Sequence, residues 1–192
     1  MLFDNNPIIV KERITPLSRK DIFDLFDSQG TKIGEVREPF VFLGTAFKIF
    51  KLNVFEASPD GNVSDKPILK MKKPFTFIRG RINVYDDNDM LIGYFLRKMI
   101  SITQQYWIFN ANNEKLGKVV GNIIHWNFNI VDNDDNIVAS VKKKFAGVIK
   151  EVFSSADAYM IDFGNSNIDK RLVFAVPLMM DQVFELNNDN RR

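Results

Sequence analysis

The sequence predicts a mainly β protein: a closed antiparallel β-barrel that encloses one hydrophobic C-terminal α-helix. Two observations support this prediction. The first is a turn pattern that recurs four times between segments of alternating apolar and polar residues. The second is an apolar segment near the C-terminus that is too short to span a bilayer and lacks the polar face of a surface helix.

The composition fits one folded domain over residues 1–192, with a core at about residues 8–186. The chain is 45% hydrophobic and 26% charged, which excludes a disordered composition, and its formal net charge of +2 gives no basis for nucleic-acid binding. It has no cysteine, and its N-terminal residues do not form a signal peptide. We therefore expect a cytoplasmic protein, free or peripheral at a membrane, without a transmembrane helix.

The recurring turn pattern reads DLFDSQGTKIGEV, NVYDDNDMLIGYF, WIFNANNEKLGKV and NIVDNDDNIVASV. In each copy an apolar residue precedes Asp or Asn, and at a constant separation Ile, Leu or Val precedes Gly or Ala. Asp and Asn suit turns because they bond to nearby backbone, so each copy predicts a β-hairpin. The sequence SPDG from Ser58 is a fifth turn signal. Many short strands joined in this way favour a closed barrel or sandwich over a parallel sheet.

The acidic turns do not predict a calcium loop or a catalytic site. The DNDDN turn has Asp132 and Asp134 at the first positions of an EF-hand loop, but Ile137 replaces the glycine and Lys143 the final glutamate. His125 is the single histidine, and no nucleophile–base spacing accompanies it, so we interpret it as structural. Trp107 and Trp126 are expected to pack in the barrel or on its wall, with contact to a membrane interface as the alternative.

The apolar segment, residues 172–180, is apolar on every side and is expected in the barrel core. Asp169 is a suitable N-cap for a helix that begins after it. Pro177 leaves two alternatives: a helix that is kinked there, or a helix that begins at Pro177 after an extended segment 172–176.

These features resemble the phospholipid scramblase-like branch of the tubby C-terminal-like superfamily, which also includes the LURP-one-related proteins. The segments VASVKKKFAGVIKEVFSSADAYMIDF and KRLVFAVPLMMDQVFEL carry the similarity. The segment LRKMISI is similar to a basic strand of the LURP-one-related branch. The resemblance implies about 12 antiparallel strands around the C-terminal helix.

The resemblance also implies a non-enzymatic module that binds anionic lipid or a membrane surface, with a link to phospholipid scrambling. A soluble scaffold or regulator that binds a protein partner is the alternative. By analogy with tubby-like domains, lipid headgroups would contact basic side chains, for which a solvated strand face is the competing interpretation. These residues are Lys70, Lys72, Lys73, Arg79, Arg81, Arg97, Lys98, Lys142, Lys143 and Lys144.

The calcium segment of animal scramblases corresponds to residues around Asp157, Asp162 and Asp169. Ser155 stands where the family segment begins with an acid, and Gly164 stands where the family has proline. These departures argue against calcium-driven scrambling. We expect no resident cofactor, with calcium as the one ion that the resemblance leaves open.

Overall fold

The computed structural model describes residues 1–13, 22–39, 51–74, 80–98, 105–122, 126–143, 158–164 and 167–189, with backbone only for residues 98, 105 and 181–189. A short 3-10 helix (Leu2–Asp4) is followed by strands and one C-terminal helix. The strands are β1 (Ile8–Glu12), β2 (Ile22–Phe26), β3 (Lys32–Arg37), β4 (Lys51–Glu56), β5 (Leu69–Lys72), β6 (Arg81–Asp86), β7 (Leu91–Lys98), β8 (Gln105–Asn110), β9 (Lys115–Asn122), β10 (Asn127–Asp132), β11 (Ile137–Lys142) and β12 (Ala158–Asp162). The helix is α1 (Lys170–Asp189).

The twelve strands form one closed antiparallel barrel in which each strand pairs with its neighbours in the sequence. Strands β1 and β12 close the barrel, with Ile8 opposite Ile161 and Val10 opposite Tyr159. Each described strand is therefore paired on both sides, so none of them forms a free sheet edge. The predicted fold class is confirmed.

Helix α1 occupies the centre of this barrel. Residues 172–180 are all buried, and they pack against inward-facing strand residues. The helix begins at Lys170 and includes Pro177, so the alternative with an extended segment 172–176 is wrong. Asp169 caps the helix as predicted, because its Oδ1 accepts a hydrogen bond from the Arg171 N–H at 2.9 Å.

The four repeats form four equivalent hairpins. In each, the first Asp or Asn of the turn accepts hydrogen bonds through Oδ1 from the backbone N–H groups two and four residues later. The bonds are 2.8–3.0 Å long, and the acceptors are Asp27, Asp86, Asn110 and Asp132. The residue three positions after each acceptor has positive φ, which suits the Gly, Asp or Asn found there.

Each hairpin also contains a β-bulge, where the register shifts by one residue. In three copies the residue that follows the bulged apolar residue is glycine, and the next strand of the barrel approaches closely at this position. A Cβ on Gly117 would lie 2.2 Å from the Val131 carbonyl oxygen, and one on Gly93 would lie 2.3 Å from the Phe109 oxygen and 3.0 Å from Leu172. Glycine therefore lets adjacent strands and the start of α1 approach closely.

The topology gives the barrel two distinct ends. We call the end that carries the four equivalent hairpin turns the turn end, and the opposite end the rim. Helix α1 starts at the turn end, beside Gly93, and runs toward the rim. Strands β1, β3, β5, β7, β9 and β11 also run toward the rim, and all of them except β9 carry a basic residue in their last two positions.

Candidate functional site

The outer wall of β4–β6 brings several basic side chains together. Inward-facing Leu69 and Met71 are fully buried, so Lys70 and Lys72 project outward between them. Lys72 lies opposite Lys51 on β4 and opposite Asn83 on β6. We define the basic face as Lys51, Lys70, Lys72, Lys73 and Arg81.

The basic face contains four of the ten predicted lipid-binding residues and one residue that the sequence did not single out. Lys51 stands alone in the sequence and joins the others only through strand register. Its position in the alternating segment KLNV was the available signal, because alternation places Lys51 and Asn53 on the side opposite Leu52 and Val54. Arg79 and Lys144 lie outside the described residues.

An acidic turn residue partly neutralises the basic face. The Asp89 carboxylate contacts Lys70 Nζ at 2.7 Å and Lys72 Nζ at 3.2 Å. Hydrogen bonds from these two ammonium groups hold the pKa of Asp89 below its usual value. Lys72 Nζ also lies 5.1 Å from the centre of the Tyr85 ring. Because Asp89 is 57% exposed in its side chain, another anion could compete for the two lysines.

Arg81 joins the basic face to a group of aromatic residues. Its guanidinium lies 3.7 Å from the centre of the Tyr94 ring, and its Nε donates a 2.8 Å hydrogen bond to Asn83 Oδ1. Asn83 Nδ2 in turn donates to the Tyr85 hydroxyl at 2.9 Å. These contacts fix Arg81 against the wall and leave it partly exposed.

The remaining predicted basic residues lie elsewhere. Arg97 is opposite Tyr106 at the rim end of β7, where burial raises the pKa of Tyr106 and the charge of Arg97 opposes that shift. Lys98 lies opposite Gln105 by register. Lys142 and Lys143 are at the end of β11, separated from β7 by three strands, so the structure does not bring them to the basic face.

A second charged cluster lies on the outer wall of β1–β3. Glu35 accepts hydrogen bonds from Arg13 and Arg37 at 2.9 and 2.8 Å, and Asp24 is bonded by Arg13 and by Lys32, the latter at 2.8 Å. Burial opposes ionisation of both carboxyl groups, but these bonds hold the pKa of Asp24 and of Glu35 below their usual values. Every charge of this cluster has a partner, which indicates a structural role.

The predicted calcium residues have separate environments. Asp162 is exposed on the outer face of β12 opposite Ser140, whereas Asp169 caps α1 and bonds to the Arg171 guanidinium at 2.6 Å. Burial opposes ionisation of Asp169, but bonds from Arg171 hold its pKa below the usual value. Asp157 lies outside the described residues, within which no three Asp, Glu or His side chains are grouped to hold a metal ion. The calcium site stays a prediction.

The two tryptophans pack as predicted, one on the wall and one against the barrel interior. Trp107 is on the outer face of β8, with its ring 6.4 Å from that of Phe109. Trp126 stacks on Tyr159 at 4.6 Å and packs against the core. His125 is not among the described residues.

Over the part of the chain that the structure describes, no helix combines the length and hydropathy that crossing a bilayer requires.

Comparisons with known proteins connect this barrel to a family. The family model described as Scramblase matches residues 61–186. A phospholipid scramblase family protein of Schizosaccharomyces pombe is 24% identical over 108 residues, which are 52% of this chain and 28% of that protein. The altered inheritance rate of mitochondria protein 25 of Saccharomyces cerevisiae is 21% identical over 171 residues, which are 89% of this chain and 49% of that protein. The chain thus spans less than half the length of either relative.

A solved structure shares the architecture. The X-ray structure of a protein from Arabidopsis thaliana matches with a TM-score of 0.56 and 16% identity, covering 93% of this chain and 91% of that one. At this identity the likeness shows the fold. The family match over residues 61–186 covers well over half of the sequence, and with it the predicted kinship is confirmed: the chain belongs to the Scramblase family.

Proposed function

We propose that this chain is a non-enzymatic module that binds the surface of anionic phospholipid membranes through the basic face. The observation that carries the proposal is the register of β4–β6, which puts Lys51, Lys70 and Lys72 side by side on one outer wall. Lys73, directly after β5, and Arg81, the first residue of β6, extend this group. The phospholipid scramblase family protein among the relatives supports lipid as the ligand.

The charge of the basic face is sufficient for weak, reversible binding. A basic residue close to an anionic bilayer contributes about 1 kcal/mol, so five residues contribute up to about 5 kcal/mol before the opposing charge of Asp89 is considered. Arg81 offers a planar fork for a phosphate, whereas the lysines act as mobile point charges. Binding of this kind weakens as salt screens the charges.

The proposed function does not include catalysis of a chemical reaction. The carboxyl groups of Asp24, Glu35, Asp89 and Asp169 all have lowered pKa values because Lys or Arg side chains bond to them. Carboxyl groups held ionised in this way behave as ion pairs and caps. A general acid would need a pKa raised toward neutrality instead.

Flotation with neutral and anionic vesicles tests the proposal. We expect the protein to float with anionic vesicles, to float less as salt increases, and not to float with neutral ones. Replacement of Lys72 and Lys73 by Gln should weaken partitioning about tenfold or more, since two basic residues are worth about 2 kcal/mol. Parallel samples with calcium and with a chelator show whether the ion contributes.

Replacement of Lys142 and Lys143 by Gln is the matched control, because it also removes two adjacent lysines at the rim end of a strand. We expect a change of less than about twofold in this control. Equal flotation with neutral and anionic vesicles would contradict the proposal and favour the protein-partner alternative. Equal weakening in both double variants would show that net charge acts without a defined face.

A further inference from the structure

We infer that the wall beside the basic face enters the membrane interface through aromatic side chains, so that the barrel docks on its side. This inference rests on the proposed function and names the part of the molecule that contacts the acyl boundary. We define the aromatic wall as Tyr85 on β6, Tyr94 and Leu96 on β7, and Trp107 and Phe109 on β8.

Strand register places these five side chains on one continuous outer surface. Tyr94 lies opposite Asn83 and Phe109, and Leu96 lies opposite Trp107. Their chain neighbours Phe95 and Ile108 point inward and are fully buried. Tyr85, Leu96, Trp107 and Phe109 are partly exposed, whereas Tyr94 is 7% exposed because Arg81 and Phe109 lie on its ring.

The aromatic wall carries cations on its rings. Tyr94 stacks on Phe109 at 4.9 Å, and Phe109 meets Trp107 edge to face at 6.4 Å. Arg81 lies 3.7 Å from the Tyr94 ring, Lys72 lies 5.1 Å from Tyr85, and Lys115 lies 5.5 Å from Trp107. Aromatic rings therefore lie next to long basic side chains across β5–β9.

This mixture of side chains fits a bilayer interface. Trp and Tyr concentrate at the boundary between headgroups and acyl chains, and Lys and Arg place their apolar stems there with the charge in water. Lysine is depleted in the cores of protein interfaces, so the lysines beside the rings favour lipid over a protein surface. One row of paired residues crosses β4–β8 and connects the basic face with the aromatic wall. It consists of Lys51, Lys72, Asn83, Tyr94 and Phe109.

Strands β10 and β11, further around the barrel, have a different outer face. The exposed and partly exposed residues of β10 and β11 include no aromatic side chain; they are Asn127, Asn129, Asp132, Ile137, Ser140 and Lys142. The wall of β6–β8 therefore differs from that of β10–β11 in its stacked rings and adjacent cations, and we expect the barrel to lie on a membrane through β6–β8.

The two tryptophans of the chain give a direct test. Trp126→Phe leaves Trp107, on the aromatic wall, as the single tryptophan, and Trp107→Phe leaves Trp126, stacked on Tyr159, as the matched control. Anionic vesicles with brominated acyl chains quench tryptophans that enter the interface. We expect quenching and a blue shift for Trp107, and an unchanged spectrum for Trp126.

A second variant pair measures the contribution of the wall without using tryptophan. Leu96→Gln should weaken partitioning to anionic vesicles about threefold to tenfold, while Val120→Gln, on the outer face of β9, should leave it unchanged. Circular dichroism and the thermal unfolding midpoint confirm that both variants are folded.

The outcomes separate this inference from the proposed function. Flotation with anionic vesicles without Trp107 quenching would overturn the aromatic docking and leave the proposed function standing. Trp107 quenching by neutral and anionic vesicles alike would support the docking and overturn the requirement for anionic lipid. The absence of binding to any vesicle would overturn both. Self-association that Leu96→Gln abolishes, without quenching by lipid, would assign the wall to a second copy of the chain and overturn the inference.

Discussion

The turn end and the rim of the barrel use charged residues differently. At the turn end, Asp27, Asp86 and Asp132 each accept two backbone N–H groups and so stabilise their hairpins. At the rim, the side chains of Lys73 and Lys142 are exposed and form no hydrogen bond or ion pair with the described residues. The net charge of +2 therefore does not show how the charges are distributed: acidic residues stabilise turns at one end of the barrel, and exposed basic residues lie at the other.

Two rim residues depart from this division. Arg13 and Arg37 lie near the rim ends of β1 and β3, but both bond to Glu35, whose side chain is 6% exposed. Their role is therefore structural, like that of the turn acids. We therefore expect substitutions at the turn end and in the Glu35 cluster to alter stability, and substitutions in the basic face to alter binding to anionic vesicles.

The largest expected effect is on stability at the turn end. Gly117→Ala should lower the free energy of unfolding by about 3 kcal/mol, because the new Cβ would press on a backbone oxygen that cannot move independently. Urea denaturation measures this loss. Ala139→Gly, at the matching position of the fourth hairpin, is the control and should cost about 1 kcal/mol. A stable Gly117→Ala variant would show that the close strand approach is not required.

A smaller effect is expected from the Glu35 cluster, and it depends on pH. Because the pKa of Glu35 is lowered in the fold, its contribution to stability is complete above the ordinary pKa of glutamate and is lost as the pH falls. The free energy of unfolding should therefore decrease from about pH 5 toward about pH 2. Glu35→Gln should lower it by about 1.5 kcal/mol at neutral pH and flatten the acid decrease.

Vesicle flotation of Glu35→Gln should match that of the parent chain, since the cluster lies outside the basic face. An unchanged pH profile of unfolding in this variant would show that the ion pairs of Glu35 do not contribute.

The smallest effect is expected at Asp89, where a turn acid meets the basic face. Asp89→Asn should strengthen binding to anionic vesicles severalfold, because Lys70 and Lys72 lose their internal carboxylate partner. Asparagine tolerates the positive φ of 61° at this position, so the unfolding midpoint should stay the same. Asp87→Asn, which releases Lys66, is the control. Equal gains in the two variants would indicate a general charge effect.

Local features of the fold were predictable from the sequence. The four turn motifs predicted four of the hairpins because the Asp or Asn cap and the residue with positive φ lie within one short segment. The segment 172–180 predicted the buried helix because it has no polar side in the sequence. The sequence did not decide whether the helix continues through Pro177 or begins there, because the effect of a proline depends on the packing around it.

The candidate site was less predictable, because it depends on strand register. Lys70 and Lys72 were found as part of a charge run, but Lys51 joins them from another strand. Tyr94 and Trp107 likewise come from separate strands, so no single segment shows the aromatic wall. The contact of Asp89 with two lysines depends on how far β5 extends beside the β6–β7 turn.

Closure of the barrel has a consequence for biosynthesis. The first strand pairs with the twelfth, and the Phe163 N–H donates to Asn6 Oδ1 across 157 positions of the chain. The helix that fills the interior is made after every strand that surrounds it. The wall cannot close before β12 has been made, and the interior cannot be filled before α1 has been made, so we expect folding to be slow and rich in distant contacts. Until then, the apolar faces of its strands remain exposed, which favours aggregation.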